Sequence, residues 1–305
     1  MWFLIALGSA LFLGFYDVAK KLSLRGNAVI PVLFLNTLFS SLVFLPIILG
    51  SLNGIIGTGN LFYVHPGPFL WHFWVMLKAV LVLSSWICGY FAIKHLPLTL
   101  VGPINSTRPV MVVIGALLIF NERLNLWQWT GVVTAVFAFW LLSRSGKREG
   151  IVFTHNAWIV MLVCAAVLGA LSGLYDKFLM GNLGLPAFFV QSWFNVYQML
   201  IMMFVFVVWQ WWQRNCDISH RETFVWRWSI LCIPLFLCVS DACYFHALTY
   251  DEALIAVVSM TRRGSVLVSF AFGALFFHEE GVRSKFLDLL LVCFSMLCLC
   301  IGATV

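Results

Sequence analysis

Trp2-Phe3-Leu4-Ile5-Ala6-Leu7-Gly8-Ser9-Ala10-Leu11-Phe12-Leu13-Gly14-Phe15-Tyr16-Asp17-Val18-Ala19 opens the chain with eighteen residues of which one, Asp17, is charged. About 20 apolar residues in helical geometry cross the hydrocarbon layer of a bilayer. The run is continuously apolar and does not alternate at period two, which argues for a helix and against a barrel strand. It has no basic residues before it and no small-residue cleavage site after it, so it is expected to be a first transmembrane span and not a signal peptide.

Nine further segments of the same kind follow. The expected spans are 2–19, 30–50, 69–92, 100–120, 126–143, 156–175, 186–211, 228–248, 254–277 and 286–304. Polar or turn-forming stretches separate them, such as Lys20-Lys21…Arg25-Gly26-Asn27, His65-Pro66-Gly67-Pro68 and Asn121-Glu122-Arg123. Composition agrees. The 305 residues are 62% hydrophobic and 10% charged, against roughly 25% charged in an ordinary soluble domain. The expected fold class is an all-α integral membrane protein of ten transmembrane helices. No loop is long enough to carry an activity of its own, so function is expected between the helices.

The net charge of +6 does not point to nucleic acid. The basic residues fall in small groups between apolar runs, as in membrane-flanking loops. Loops after odd-numbered spans carry Lys20, Lys21, Arg25, Lys94, Arg144, Lys147, Arg148, Arg214, Arg221, Arg227, Arg283 and Lys285; the other side has Arg123 and Lys177. That bias places the odd loops in the cytoplasm and both termini outside. The nine cysteines lie mostly within apolar runs and show no zinc-like spacing. No metal or cofactor is expected.

The two halves echo each other. Gly14-Phe15-Tyr16-Asp17 recurs as Gly173-Leu174-Tyr175-Asp176, 159 residues on. Gly115-Ala116-Leu117 with Glu122 recurs as Gly273-Ala274-Leu275 with Glu280, 158 residues on, and Thr107-Arg108 recurs as Thr261-Arg262, 154 residues on. Five spans per half is an odd number, so the second half is reversed in the bilayer. The expected organisation is an inverted repeat, with units 1–148 and 149–305, which typically builds a site near the midplane.

Ionisable groups within spans are costly and usually face a cavity or a partner. Lys78, Arg108, Asp241, Arg262 and Arg263 stand out, followed by His246 and the amides Asn36, Asn105, Gln191, Asn195 and Gln198. Arg108 and Arg262 occupy equivalent places in the two halves. One reading makes them, with Lys78, a basic cavity for a carboxylate or phosphate, because the guanidinium offers a rigid fork to such groups. The other makes them structural, snorkelling or neutralising Asp241 and Asp251. Asp241 also stands as a candidate proton carrier. Asp17 and Asp176 are expected at wet span ends, as interfacial turns or gates. Tyr90, Tyr244, Trp86 and Trp193 are candidate aromatic lining, and Asn36, Asn195 and Gln198 either orient a polar substrate or tie helices together.

The stretch Arg108-Pro109-Val110…Gly115-Ala116-Leu117-Leu118-Ile119-Phe120-Asn121-Glu122-Arg123-Leu124-Asn125…Gln128-Trp129…Gly131 resembles the passage from the fourth to the fifth helix of the drug/metabolite transporter superfamily, in its EamA-like ten-helix branch. The copy at Gly273-Ala274-Leu275-Phe276-Phe277-His278-Glu279-Glu280 departs from it after the glutamate, with Gly281-Val282-Arg283. The resemblance implies a secondary transporter that moves a small metabolite by alternating access, multi-pass in a cell inner membrane, with both termini inside. On the last point it disagrees with the charge bias. The residues and the resemblance together nominate Arg108, Arg262, Lys78, Asp241, Tyr90, Tyr244, His246, Asn36, Asn195 and Gln198 for substrate binding, with the bilayer as surroundings and a proton or ion as a candidate coupling partner. Monomer and homodimer are both open.

A membrane enzyme would need histidine with a carboxylate, or a metal cluster, near one interface. His246 with Asp241, and His72 and His95 elsewhere, form no recognisable constellation. A receptor or assembly factor is not excluded by sequence. No GxxxxGK[ST] loop is present, which argues against ATP hydrolysis by this chain.

Overall fold

The computed structural model describes residues 2–60, 62–108, 110–112, 114–115, 125–148, 156–215, 222–248, 261–262, 264–276 and 282–304. Among these residues the chain is all-helical. Ten α-helices are present: α1 (Trp2–Leu24), α2 (Val29–Leu52), α3 (Phe69–His95), α4 (Leu98–Ser106), α5 (Leu126–Arg148), α6 (Ala157–Lys177), α7 (Ala187–Asn215), α8 (Ser229–Leu248), α9 (Ser265–Leu275) and α10 (Val282–Thr304). A π-helical turn, Phe178–Asn182, extends α6.

Five stretches are long and apolar enough to cross a membrane by themselves: Phe3–Leu24, Val29–Leu52, Phe69–His95, Ala157–Asp176 and Phe188–Asn215. Their outer faces are apolar, with Leu42, Leu77, Phe204 and Val207 exposed. Trp211 and Trp212 near the end of α7 and Trp226 and Trp228 before α8 are also exposed. Tryptophan in such a position suits the level of the lipid headgroups.

Helices pair mainly across the two halves. α1 lies against α8 and α9, α3 against α6 and α7, α2 against α7 and α8, α4 against α9 and α6, and α5 against α10. Small residues bring the backbones close. A Cβ added at Gly14 would collide with Val268 of α9, and one at Gly115 with Leu174 of α6. Buried hydroxyls join the pairs. Ser9 donates to the Ser240 carbonyl at 2.8 Å and Ser240 returns the bond to the Ser9 carbonyl at 2.9 Å. Ser85 of α3 donates to the Ala165 carbonyl of α6 at 2.7 Å. Without hydrophobic drive between helices in lipid, such packing and hydrogen bonding hold the bundle.

Two boundaries differ from the sequence expectation in ways that matter. First, α1 runs through Lys20 and Lys21 to Leu24. Lys20 is only 7% exposed and ion-paired with Asp17 at 2.7 Å. Lys21 donates to the carbonyls of Ile93 and Leu96 and so caps the end of α3. The two lysines continue the helix because the bundle supplies each with oxygen partners. They are not free loop charges. Second, the fourth span is not one continuous helix. α4 ends at Ser106, with Thr107 as its cap, and helix resumes at Arg108. Pro103 lacks a donor, and the Thr107 hydroxyl bonds back to the Ile104 carbonyl at 2.7 Å. The ninth span is also interrupted, at Gly264, between Thr261-Arg262 and α9. Asn121, Glu122, Arg123, Asp251, Arg263, Glu280 and Cys216 lie outside the described residues.

Candidate functional site

A cavity of about 470 Å³ opens between α1, α3, α4, α6, α7, α8 and α9. It falls within the range of small-molecule sites. Seven formally charged side chains line it: Asp17 and Lys20 from α1, Lys78 from α3, Arg108 just after α4, Asp176 from α6, Asp241 from α8, and Arg262 just before α9. Their formal sum is four cations less three carboxylates, or +1.

Three of the cations are paired. Lys20 meets Asp17 at 2.7 Å, one helical turn away. Lys78 reaches across from α3 to Asp176 at 2.6 Å. Arg262 donates to Asp241. Each of these cations also sits over an aromatic ring: Lys20 is 4.0 Å from the centre of Tyr16, Lys78 is 4.9 Å from that of Phe194, and Arg262 is 4.9 Å from that of Tyr244. A ring face adds electrostatic stabilisation that is larger when water is excluded.

Arg108 is different. Among the described residues it has no carboxylate within ion-pair distance. Among the described residues its hydrogen bond runs from Nη2 to the Ala165 carbonyl at 3.4 Å, where the Ser85 hydroxyl already binds at 2.7 Å. Its Nε is buried and without a partner. A guanidinium carries five N–H donors, so most of this one's capacity is uncommitted. The side chain lies flat against Gly169 of α6, where a Cβ would stand 2.8 Å from Cζ. Glycine at 169 therefore makes the berth in which the guanidinium rests.

The remaining nominated residues divide. Tyr90, Tyr244 and Asn195 line the cavity, as do Trp86, Asn105 and Gln191. Asn105 Oδ1 is buried without a partner. Asn36 is fully buried behind the wall and donates to the Tyr90 hydroxyl at 3.0 Å. It ties α2 to α3 and is not among the lining residues. Gln198 is buried on α7, also away from the lining. The His246 side chain lies outside the described residues. Trp193 packs with His72 and Tyr197 in a separate aromatic group, where the Tyr197 hydroxyl and His72 Nδ1 are 2.8 Å apart.

Sequence reasoning did not place Asp17, Lys20 and Asp176 in the wall, because all three were expected at wet span ends. Asp17 lies within α1 and Asp176 at the last turn of α6, as expected of a span end, and both line the cavity. The i,i+3 spacing of Asp17 and Lys20 was a readable signal that the first helix continues.

Comparisons with known proteins agree with this architecture. The sequence profile of the EamA-like transporter family matches residues 1–144. A probable 4-amino-4-deoxy-L-arabinose-phosphoundecaprenol flippase subunit, ArnF of Serratia proteamaculans (strain 568), is 32% identical over 65 residues, or 21% of this chain and 50% of that protein. The matched segment thus spans about half the length of that curated relative. A solved crystal structure superposes with a TM-score of 0.58 at 14% identity, covering 95% of each chain, and shows that the fold is shared. The chain is a multi-pass membrane protein whose first 144 residues match the model of the EamA-like transporter family.

Proposed function

We propose that this chain is a secondary transporter that moves a small metabolite across a cell inner membrane by alternating access. The observation that carries the reading is the central cavity, walled by α1, α3 and α4 of residues 1–148 and by α6 to α9 of residues 149–305. Two five-helix units related by a pseudo-twofold axis account for the helix pairing. If α1 to α5 are exchanged with α6 to α10, the α1–α8 contact becomes α6–α3, α2–α8 becomes α7–α3, and α1–α9 becomes α6–α4. The pairs α2–α7, α4–α9 and α5–α10 map onto themselves, and all these contacts occur. The cross-half serine bonds fall in the exchanged pair α1–α8 and α3–α6. Interruptions at Thr107 and Gly264 suit the broken helices that such transporters use at midplane sites.

The cargo is anionic or zwitterionic, with Arg108 as its principal contact and Arg262 as the second nominated one. Coupling to a proton would require one of the three carboxylate–cation pairs to open, and Asp241 with Arg262 is the nominated pair. No chemical step is assigned to the chain. A second reading, favoured by the ArnF match, is a flippase subunit whose cargo is a lipid-linked sugar.

Alternating access is tested without knowing the cargo. All nine cysteines are replaced and Ser172→Cys, on the cavity wall, is introduced as the single thiol. Membrane-impermeant maleimide is then applied to each face of oriented vesicles. Labelling from both faces is expected. Labelling from one face only, under every condition, contradicts alternating access.

A further inference from the structure

Building on the transporter reading, we infer that the cavity takes a monoanion with an apolar body, held through its one anionic group principally by Arg108. The argument is one of charge pairing. Asp17, Asp176 and Asp241 each hold a cation already. A zwitterion's ammonium would therefore find no free carboxylate among the described lining residues. Lys20, Lys78 and Arg262 are each neutralised by an acid and covered by a ring. A second anionic group on the cargo would have to break one of these pairs and expose the released carboxylate to its own negative charge.

Arg108 alone among the four lining cations is held by neither an acid nor a ring in the contacts above. Its orphaned buried Nε and under-used Nη groups can present a planar fork to a single oxyanion. Burying a cation with no acid in ion-pair contact is costly, and an incoming monoanion offsets that cost. The rest of the wall suits an apolar body, since Trp86, Tyr90 and Phe194 line the same space. Asn105, with its partnerless Oδ1, offers an acceptor for a hydroxyl or amide on the cargo. A monocarboxylate and a phosphodiester share this chemistry.

The test is a thermal-stability series on the full-length protein in detergent, with probes that keep one aromatic body and change only the charge. The probes are benzenesulfonate (−1), benzene-1,3-disulfonate (−2), phenylalanine (zwitterion), phenethylamine (+1) and benzyl alcohol (neutral). Phenylacetate and methyl phenyl phosphate then separate the carboxylate source from the phosphodiester source. A ligand that binds only the folded state raises apparent stability. Benzenesulfonate is expected to stabilise the wild type at concentrations at least about 10-fold lower than the disulfonate or phenylalanine. Arg108→Gln is expected to lose that response, while Lys94→Gln paired with Glu222→Gln, which removes an ion pair outside the cavity lining as a unit, retains it.

Comparable stabilisation by the disulfonate or the zwitterion overturns the monoanion assignment and leaves the transporter reading standing. So does an unchanged benzenesulfonate response in folded Arg108→Gln. Stabilisation by no member of the series overturns the assignment by itself, whereas the transporter reading stands or falls on the two-sided labelling of Ser172→Cys.

Discussion

Gly169→Ala separates the fold from the site more cleanly than any substitution of a charged group. The added Cβ would stand 2.8 Å from Arg108 Cζ, 2.9 Å from Nη1 and 3.0 Å from Nε. Carbon atoms in good contact sit near 3.5 Å, so the guanidinium must retreat by about 0.7 Å. Its bond to the Ala165 carbonyl is already long at 3.4 Å and does not survive such a shift. The obstacle is the far end of a flexible side chain, so the backbones of α6 and its neighbours need not move. Alanine within a helix gains about 1 kcal/mol over glycine, and an off-rotamer arginine costs about the same. Net stability is therefore expected to stay within about 1 kcal/mol of wild type. Binding is expected to fall about 10-fold, or ~1.4 kcal/mol, as the fork loses its aim. The assay is a thermal melt with and without benzenesulfonate, alongside Gly8→Ala, whose added Cβ meets nothing within 4 Å. A folded Gly169→Ala that binds benzenesulfonate as tightly as wild type refutes the berth argument. A melt lowered by more than about 3 kcal/mol refutes the claim that only the arginine gives way.

Three further outcomes follow from the packing. Gly14→Ala drives a methyl into Val268 and to 3.2 Å from the Ser265 carbonyl, and is expected to destabilise the α1–α9 contact by about 1–3 kcal/mol in chemical denaturation; a neutral result contradicts the close approach. Lys78→Met strands Asp176 and is expected to cost about 2 kcal/mol, whereas Lys78→Met with Asp176→Asn recovers at least half of it, because removing both partners leaves no orphaned charge. Additive losses in that double-mutant cycle contradict the pair. Ser9→Ala breaks the reciprocal bonds with Ser240 and is expected to lower stability by about 0.6 kcal/mol, the usual scale for hydrogen bonds between membrane helices.

Much of the fold was legible because a membrane imposes so few solutions. Nine of the ten expected segments begin within about four residues of a described helix or helical stretch, since apolar length alone sets them. The exception is the ninth, whose first residues lie outside the described part of the chain. Lys78, Arg108, Asp241 and Arg262 stood out in the sequence for the same reason, a charge in lipid being uncommon without a cavity or partner, and all four line the cavity. Pairing was not legible. Asp241 had several candidate cations in the sequence, and only the fold, in which α1 packs against both α8 and α9, brings Arg262 to it. The role of Lys20 was hidden because two adjacent lysines after an apolar run look like a loop. What reverses that reading is a partner distant in sequence, the cavity wall, together with Asp17 one turn back. Asn36 was indistinguishable from Asn195 by residue type and span. Tertiary structure sends one behind Tyr90 and the other into the wall.

The most direct test of the central claim is counterflow of radiolabelled benzenesulfonate, which stays charged at neutral pH, in proteoliposomes preloaded with the unlabelled anion. The account predicts saturable uptake into wild-type vesicles that falls to the protein-free level for Arg108→Gln. Wild-type uptake no greater than in protein-free liposomes, or equal uptake by a folded Arg108→Gln, contradicts it.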